Sequence, residues 1–271
     1  MGEWLELNNQ TFIITGGSSG IGQSIVEALL ENHANVVVAD LQEPPEEVIQ
    51  KAADNQLLFV KTNVAQRESV EALVQKSFEK FGGIDVLVNN AGINLPRLLV
   101  DSKETGGKFE LSDQAIGKMI DINQKGVFLC SQLVGREMVK ADKGVIINMV
   151  SESGLEGSEG QSGYAATKAA IYSFTRSWAK ELGKYNIRVV GVAPGILEKT
   201  GLRTPAYEEA LAYTRGITVD QLRQGYTNKS IPLRRDGKLS EVADLVLYLS
   251  SKRASYITGT TYNIAGGKSR G

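Results

Sequence analysis

Thiol and imidazole are nearly absent: the 271 residues include one cysteine, Cys130, and one histidine, His33. A single thiol excludes an intrachain disulfide and favours a reduced, cytoplasmic setting. Its place in the apolar stretch Val127-Phe128-Leu129-Cys130 marks it as buried and inert. One imidazole excludes a Ser-His-Asp triad and any metal site needing two histidines, so no metal is expected. His33, between a helical run and a strand, reads as a turn residue. A surplus of one charge is missing too. Thirty Lys and Arg against 31 Asp and Glu give a net charge of −1, without the clustered basic excess that nucleic acid or anionic lipid demands. No apolar run approaches the roughly 18 residues of a membrane span. The N-terminal MGEWLELNNQ carries acids where a signal peptide would be basic. Neither nucleic acid nor membrane is expected as a partner, and the cytoplasm is the expected location.

What is present is alternation. Short apolar, β-branched runs (Phe12 to Thr15, Val36 to Ala39, Leu57 to Val60, Val86 to Asn89, Val145 to Met149, Arg188 to Ala193, Thr261 to Ile264) predict strands buried on both faces. Between them, helical patterns run over Ile21 to Asn32, Arg67 to Phe81, Ser112 to Lys140, Gly163 to Gly183 and Ser240 to Ser250, with Glu46 to Ala53 weaker. This predicts one doubly wound α/β domain over 1–271 with a mostly parallel sheet, since no linker, low-complexity tract or repeat divides the chain. Two excursions, about 93–111 and 195–239, are longer than ordinary connections and are expected to hold a substrate at the carboxyl ends of the strands.

Directly after the first strand comes Thr15-Gly16-Gly17-Ser18-Ser19-Gly20-Ile21-Gly22, running into a helix. Glycine there permits a tight turn and close approach of backbone to a pyrophosphate, and the helix N-terminus offers free N–H groups and positive dipole. Asp40 ends the second strand, 18 residues after Gly22. A carboxylate so placed accepts the ribose hydroxyls of an adenosine and repels a 2′-phosphate, which favours NAD over NADP, although Asp40 could also simply start a turn.

Tyr164 and Lys168 stand at i, i+4, on one face of a helix. An ammonium about 4 Å from the phenol is worth up to roughly 4 kcal/mol at an effective dielectric near 20, enough to bring the tyrosine down toward neutral pH. Ser151, closing the preceding strand, is placed to hydrogen-bond both the phenol oxygen and a substrate hydroxyl. Asn123, inside a helical pattern it does not favour, is a candidate to hold a water by its side chain.

Thr15-Gly16-x-x-x-Gly20-x-Gly22, Asn89-Asn90-Ala91-Gly92, Asn123, Ser151, Tyr164-x-x-x-Lys168, Pro194-Gly195 and Thr258-Gly259 through Gly266-Gly267, in this order, resemble the short-chain dehydrogenase/reductase family over nearly the whole chain. The resemblance implies a seven-stranded Rossmann-like domain, no metal, a homotetramer, and a catalytic tetrad on Ser151, Tyr164, Lys168 and Asn123. It implies a nicotinamide cofactor, NAD by the Asp40 argument, contacted by Gly16, Ser18, Ser19, Gly20, Ile21, Gly22, Asp40, Asn63, Val64, Asn90, Ala91, Gly92, Tyr164, Lys168, Pro194 and Gly195. A water held by Asn123 would connect Lys168 to solvent. Two departures are visible: Asn63 stands where the family usually has aspartate, and Thr200 lies six residues after Pro194 instead of five.

Gly195 to Ser240 carries a net +3 (Lys199, Arg203, Arg215, Arg223, Lys229, Arg234, Arg235 and Lys238 against five acids) in a chain that is −4 elsewhere. That favours an anionic substrate. Pro96 to Asp101, Ser151 to Ser162, and Pro194 to Thr204 with Glu208 to Thr218 resemble the family's dehydrogenases of phosphorylated polyols, which implies a small-molecule sugar phosphate interconverted between alcohol and ketose. Arg97, Lys199 and Arg203 are the expected phosphate ligands, and Lys268 and Arg270 are placed to reach a neighbouring subunit. Glu152, Glu156 and Glu159 either accept polyol hydroxyls or keep a loop soluble; only Glu152 adjoins the tetrad. The competing readings are reduction of another polyol, acetoin-like or ketoacyl carbonyl, and a non-catalytic dinucleotide sensor.

Overall fold

The structure, a computed structural model, describes residues 4–228 and 231–269, with the side chains of 226–228 left aside. Seven strands, β1 Thr11–Thr15, β2 Asn35–Asp40, β3 Leu57–Lys61, β4 Val86–Asn89, β5 Gly144–Met149, β6 Ile187–Pro194 and β7 Thr261–Ile264, form one sheet in the order β3-β2-β1-β4-β5-β6-β7. Every adjacent pair is parallel, so the sheet is wholly, rather than mostly, parallel. The helices are α1 Gly20–Glu31, α2 Glu46–Ile49, α3 Arg67–Phe81, α4 Asp113–Met119, α5 Gly126–Ala141, α6 Ser153–Glu156, α7 Ser162–Leu182, α8 Pro205–Thr214, α9 Val219–Asn228 and α10 Leu239–Ser250.

The strands are mostly apolar because both faces are covered. Ile14, Val36 and Val38 pack with Ile25, Val26 and Leu29 of α1 and Val242, Val246 and Leu249 of α10. Alternate residues Ile13 and Val37 pack with Val70 and Leu73 of α3 and Leu133 and Val134 of α5. Each such side chain contributes roughly 1.5–3 kcal/mol on burial, and that period-two division holds the layers. Cys130 belongs to the second layer, where burial pushes its thiol up to about 12, and His33 occupies a turn with φ of 57°. Among the described residues no helix is long and apolar enough to cross a membrane.

Two expectations change. The helix expected over Ser112 to Lys140 is three segments, because Ile120–Lys125 forms a π-helix between α4 and α5. The excursion at 195–239 carries two helices, α8 and α9. Thr204 caps α8 by accepting from the Tyr207 N–H at 3.1 Å, and Pro205 opens it. The 93–111 excursion packs on α8: Phe109 stacks on Tyr213 at 4.1 Å, and the Tyr213 hydroxyl donates to buried Asp101 at 2.8 Å. The two excursions thus form one continuous roof.

Candidate active site

Strand order reverses between β1 and β4, where the crossovers leave in opposite directions and open a crevice. A cleft of about 720 Å³ lies there. Thr15 fastens its floor, accepting from the Asn90 and Ala91 N–H groups at 2.9 and 3.0 Å, while Asn90 Nδ2 donates to the Thr15 and Gly16 carbonyls. Gly16, with φ of 64°, makes the turn. Ser19, Gly20 and Ile21 reach the cleft, and the Ser19 hydroxyl does not cap α1, so the first-turn N–H groups remain for an anion. A dinucleotide fits this floor. Ser18 and Gly22, expected as contacts, do not line the cleft. The Ser18 N–H donates to Asp40 Oδ2 at 3.0 Å, and Gly22 is pressed against the Gly16 carbonyl. Both shape the loop.

Asp40 combines both readings of it: it accepts from the N–H groups of Ser18, Leu41 and Gln42, as a turn residue would, and it lines the cleft. Lys61, its register partner on β3, is a cation the sequence reading overlooked, but it does not line the cleft. Asn63, Val64, Ala91, Gly92, Pro194 and Gly195 do. Asn63 Oδ1 accepts from the Ala65 N–H at 3.1 Å, which stabilises the turn after β3. The shifted Thr200 has a structural consequence: its loop folds back onto the glycine loop, where a Cβ on Gly20 would lie 3.4 Å from Thr200 Cβ.

Ser151, Tyr164 and Lys168 meet in the other half of the cleft. Ser151 follows β5, and its Oγ lies 3.0 Å from Ser153 Oγ. Lys168 Nζ donates to the Met149 carbonyl at 2.7 Å and lies 5.7 Å from the Tyr164 ring centre. The expected depression of the phenol by the lysine is reversed. Burial pushes Tyr164 up to about 12, opposed by its hydrogen bond with Ser151, and pushes Lys168 down to about 8. The ammonium points past the ring to a backbone oxygen, so desolvation outweighs attraction. At neutral pH Tyr164 is therefore a proton donor, suited to protonating a carbonyl oxygen.

Asn123 sits fully buried in the π-helix. Its Oδ1 accepts from the Ile93 N–H at 2.8 Å, and its Nδ2 donates to the Ile93 carbonyl and to Thr167 Oγ1. Thr167 in turn donates to the Tyr164 carbonyl at 2.7 Å. Both amide hydrogens are engaged, so the side chain braces residue 93 to the tyrosine helix.

The phosphate candidates separate. Arg97 folds back onto the Pro96 carbonyl at 2.6 Å and over the Phe109 ring, and does not line the cleft. Lys199 does not line it either; its charge acts on Glu208. Arg203 does, while donating to the Leu197 carbonyl at 2.6 Å. Arg215, counted but not singled out, also lines the cleft. Its nearest side-chain partner is the neutral Ser158 hydroxyl at 3.5 Å, and no carboxylate pairs with it among the described residues. Arg223 and Arg235 are bound to Glu208 and Glu241. Lys268 lines its own chain's cleft, paired with Glu152; Lys229 and Arg270 lie outside the described residues. The glycine pair after β7 was the available signal for Lys268, because consecutive positive φ angles at Gly266 and Gly267 turn the chain back on itself. No sequence signal distinguished Arg215 from its neighbours.

The model of the family described as short chain dehydrogenase matches residues 10–210. A sorbitol-6-phosphate 2-dehydrogenase of Klebsiella pneumoniae is 60% identical over 271 residues, the full length of both chains. Among solved structures, levodione reductase superposes with a TM-score of 0.84 at 30% identity, covering 97% of this chain and 98% of that one. A 3-ketoacyl-(acyl-carrier-protein) reductase from Brucella melitensis complexed with NADH gives 0.81 at 27%, covering 97% and 100%. The matched stretch runs from the glycine loop through the serine, tyrosine and lysine that the sheet gathers at its switch point, and on these grounds the chain belongs to the short-chain dehydrogenase family.

Proposed function

We propose that this protein is an NAD-dependent oxidoreductase that interconverts sorbitol 6-phosphate and fructose 6-phosphate by hydride transfer at C2. The observation that carries the substrate is the 60% identity, over both full lengths, to the Klebsiella enzyme. The cleft is consistent with it, joining a protonated Tyr164 to Arg203 and to Arg215, whose charge no carboxylate neutralises among the described residues.

A bound nicotinamide supplies or accepts the hydride. In ketose reduction Tyr164 gives its proton to the carbonyl oxygen, which Ser151 orients. Lys168 is the nearby positive charge for the phenolate left behind. Asn123, through Thr167 and Ile93, keeps the tyrosine helix in place. In alcohol oxidation Tyr164 must first lose its proton, so that direction is favoured by rising pH. The reading includes action in the cytoplasm and assembly as a homotetramer.

NAD is assigned because Asp40 lines the adenosine end and is followed by Leu41, which offers no cation for a 2′-phosphate. Asp40→Ser is expected to narrow the preference for NAD over NADP by at least about tenfold, mainly through weaker NAD binding. Steady-state kinetics with both cofactors measures this, and a wild type using NADPH as well as NADH overturns the assignment.

The substrate is tested with fructose 6-phosphate, fructose, acetoin and a ketoacyl thioester, each with NADH. Fructose 6-phosphate is expected to give the highest kcat/KM. Arg215→Met should raise its KM about 10-fold or more while barely affecting fructose, since a charge-assisted bond is worth ~1.5–3 kcal/mol. Arg97→Met and Lys199→Met should stay within about threefold of wild type. Equal losses on both sugars for Arg215→Met, or a large selective loss at Arg97, place the phosphate elsewhere.

A further inference from the structure

Lys268 and Glu152 meet at the boundary between the two halves of the cleft. Glu152 follows Ser151, and its N–H donates to the Pro194 carbonyl at 3.3 Å. Its Oε1 accepts from Lys268 Nζ. Its Oε2 is buried without a donor, packed where a Cβ on Gly195 would lie 3.1 Å away. The side chains are 13% and 28% exposed, and both residues line the cleft. Gly266 and Gly267, with φ of 61° and 86°, bring Lys268 in, and its N–H closes the turn on the Ala265 carbonyl at 3.1 Å.

An ion pair in a substrate cleft has an electrical meaning. The lysine is matched by a carboxylate at bonding distance, so the pair is close to neutral as a unit and suits a phosphate dianion poorly, whereas no carboxylate among the described residues matches Arg215. The pair still has unused capacity of both kinds: an ammonium carries three donors, and Glu152 Oε2, buried without a donor, becomes available when a ligand turns the carboxylate toward the cleft. A hydroxyl group, which gives one hydrogen bond and takes another, answers both. Glu152 follows Ser151 and both line the cleft, so a hydroxyl close to the reacting carbon is the group offered to the pair.

We propose that Glu152 and Lys268 are specificity-determining residues that read the hydroxyl adjacent to the reacting carbonyl, with Lys268 donating to that oxygen and the Glu152 carboxylate accepting a hydrogen bond from its O–H. They make the cleft selective for α-hydroxyketones and vicinal polyols over simple ketones. This deepens the proposed reaction and rests on it for the sugar phosphate, but the hydroxyl itself can be tested without a phosphate.

Acetoin and 2-butanone differ by one α-hydroxyl, and fructose 6-phosphate carries the same group beside its carbonyl. Wild type, Lys268→Met, Lys268→Arg and Glu152→Gln are compared on all three with NADH, together with the dissociation constant for NADH by fluorescence. Lys268→Met and Glu152→Gln are expected to lower kcat/KM at least about 10-fold for acetoin and fructose 6-phosphate, mainly through KM, and less than about threefold for 2-butanone. Lys268→Arg is expected to recover part of the loss, and NADH affinity to stay within about twofold in all variants. Equal losses on acetoin and 2-butanone, or no loss on either, overturn the inference. A fall in NADH affinity that parallels the fall in activity overturns it as well, because the pair would then fasten the cofactor loop. If wild type reduces acetoin but not fructose 6-phosphate, the sugar-phosphate reading fails while the acetoin ratio still decides the pair. Failure to reduce any hydroxyketone sinks both.

Discussion

Tyr164→Phe is expected to lower kcat for fructose 6-phosphate reduction by at least about 100-fold, within the range that general acid catalysis supplies. NADH affinity should change by less than about threefold, because the ring and its packing remain. The substitution removes only the hydroxyl whose proton goes to the substrate oxygen. The pH dependence adds a second check. Burial holds the phenol up to about 12 and Lys168 down to about 8, so Tyr164 remains an acid across the neutral range. As pH rises through about 8, Lys168 loses the charge that stabilises the phenolate formed when Tyr164 gives up its proton. Reduction should therefore decline from about pH 8 upward, well before Tyr164 itself titrates. A kcat/KM profile flat from pH 6 to 10 would show that the ammonium is not needed, and near-wild-type turnover in Tyr164→Phe would remove the tyrosine from the mechanism.

The largest structural effect is expected at Gly22. A Cβ there would lie 2.0 Å from the Gly16 carbonyl oxygen and 2.6 Å from Asn90 Nδ2. Both belong to the braced floor of the cleft, and the nearer one is backbone, so neither can swing aside. Gly22→Ala is expected to cost about 3 kcal/mol, at the upper end of what overpacking imposes. For a chain of this size that is a fall of roughly 6–12 °C in Tm. NADH affinity should drop at least about 10-fold, because the loop can relieve the clash only by moving the N–H groups at the start of α1. Gly83→Ala serves as the control: nothing lies within 4 Å of its added Cβ, so Tm should stay within about 2 °C of wild type. Thermal unfolding and NADH titration of both variants measure this. Equal shifts in the two would mean that glycine at 22 matters for backbone entropy and not for close approach.

Much of the architecture is local and was legible in the residues. The seven apolar runs became the seven strands to within a residue or so at each end, because strands covered on both faces are apolar at successive positions, as Ile13 and Ile14 are. Glycines before a helix, a carboxylate ending β2 and the Tyr164–Lys168 spacing also carry their meaning in short range, since helix periodicity and strand direction suffice to bring them to the carboxyl ends of the strands.

Tertiary structure decided the rest. The π-helix at Ile120–Lys125 was invisible because its partner, Ile93, lies 30 residues away. Formal charge named eight cations in the long excursion, but only contacts from elsewhere in the chain show which are neutralised, as Arg223 is by Glu208, and which face the cleft, as Arg215 does. The direction of the tyrosine shift, expected downward from the lysine alone, was likewise decided by the tertiary structure. The i, i+4 spacing sets the approach of phenol and ammonium, whereas burial depends on every element packed around them, and here it outweighs the pair. Periodicity and spacing act along the chain and are written in it, while solvation and the pointing of long side chains are set only once distant segments close over the cleft.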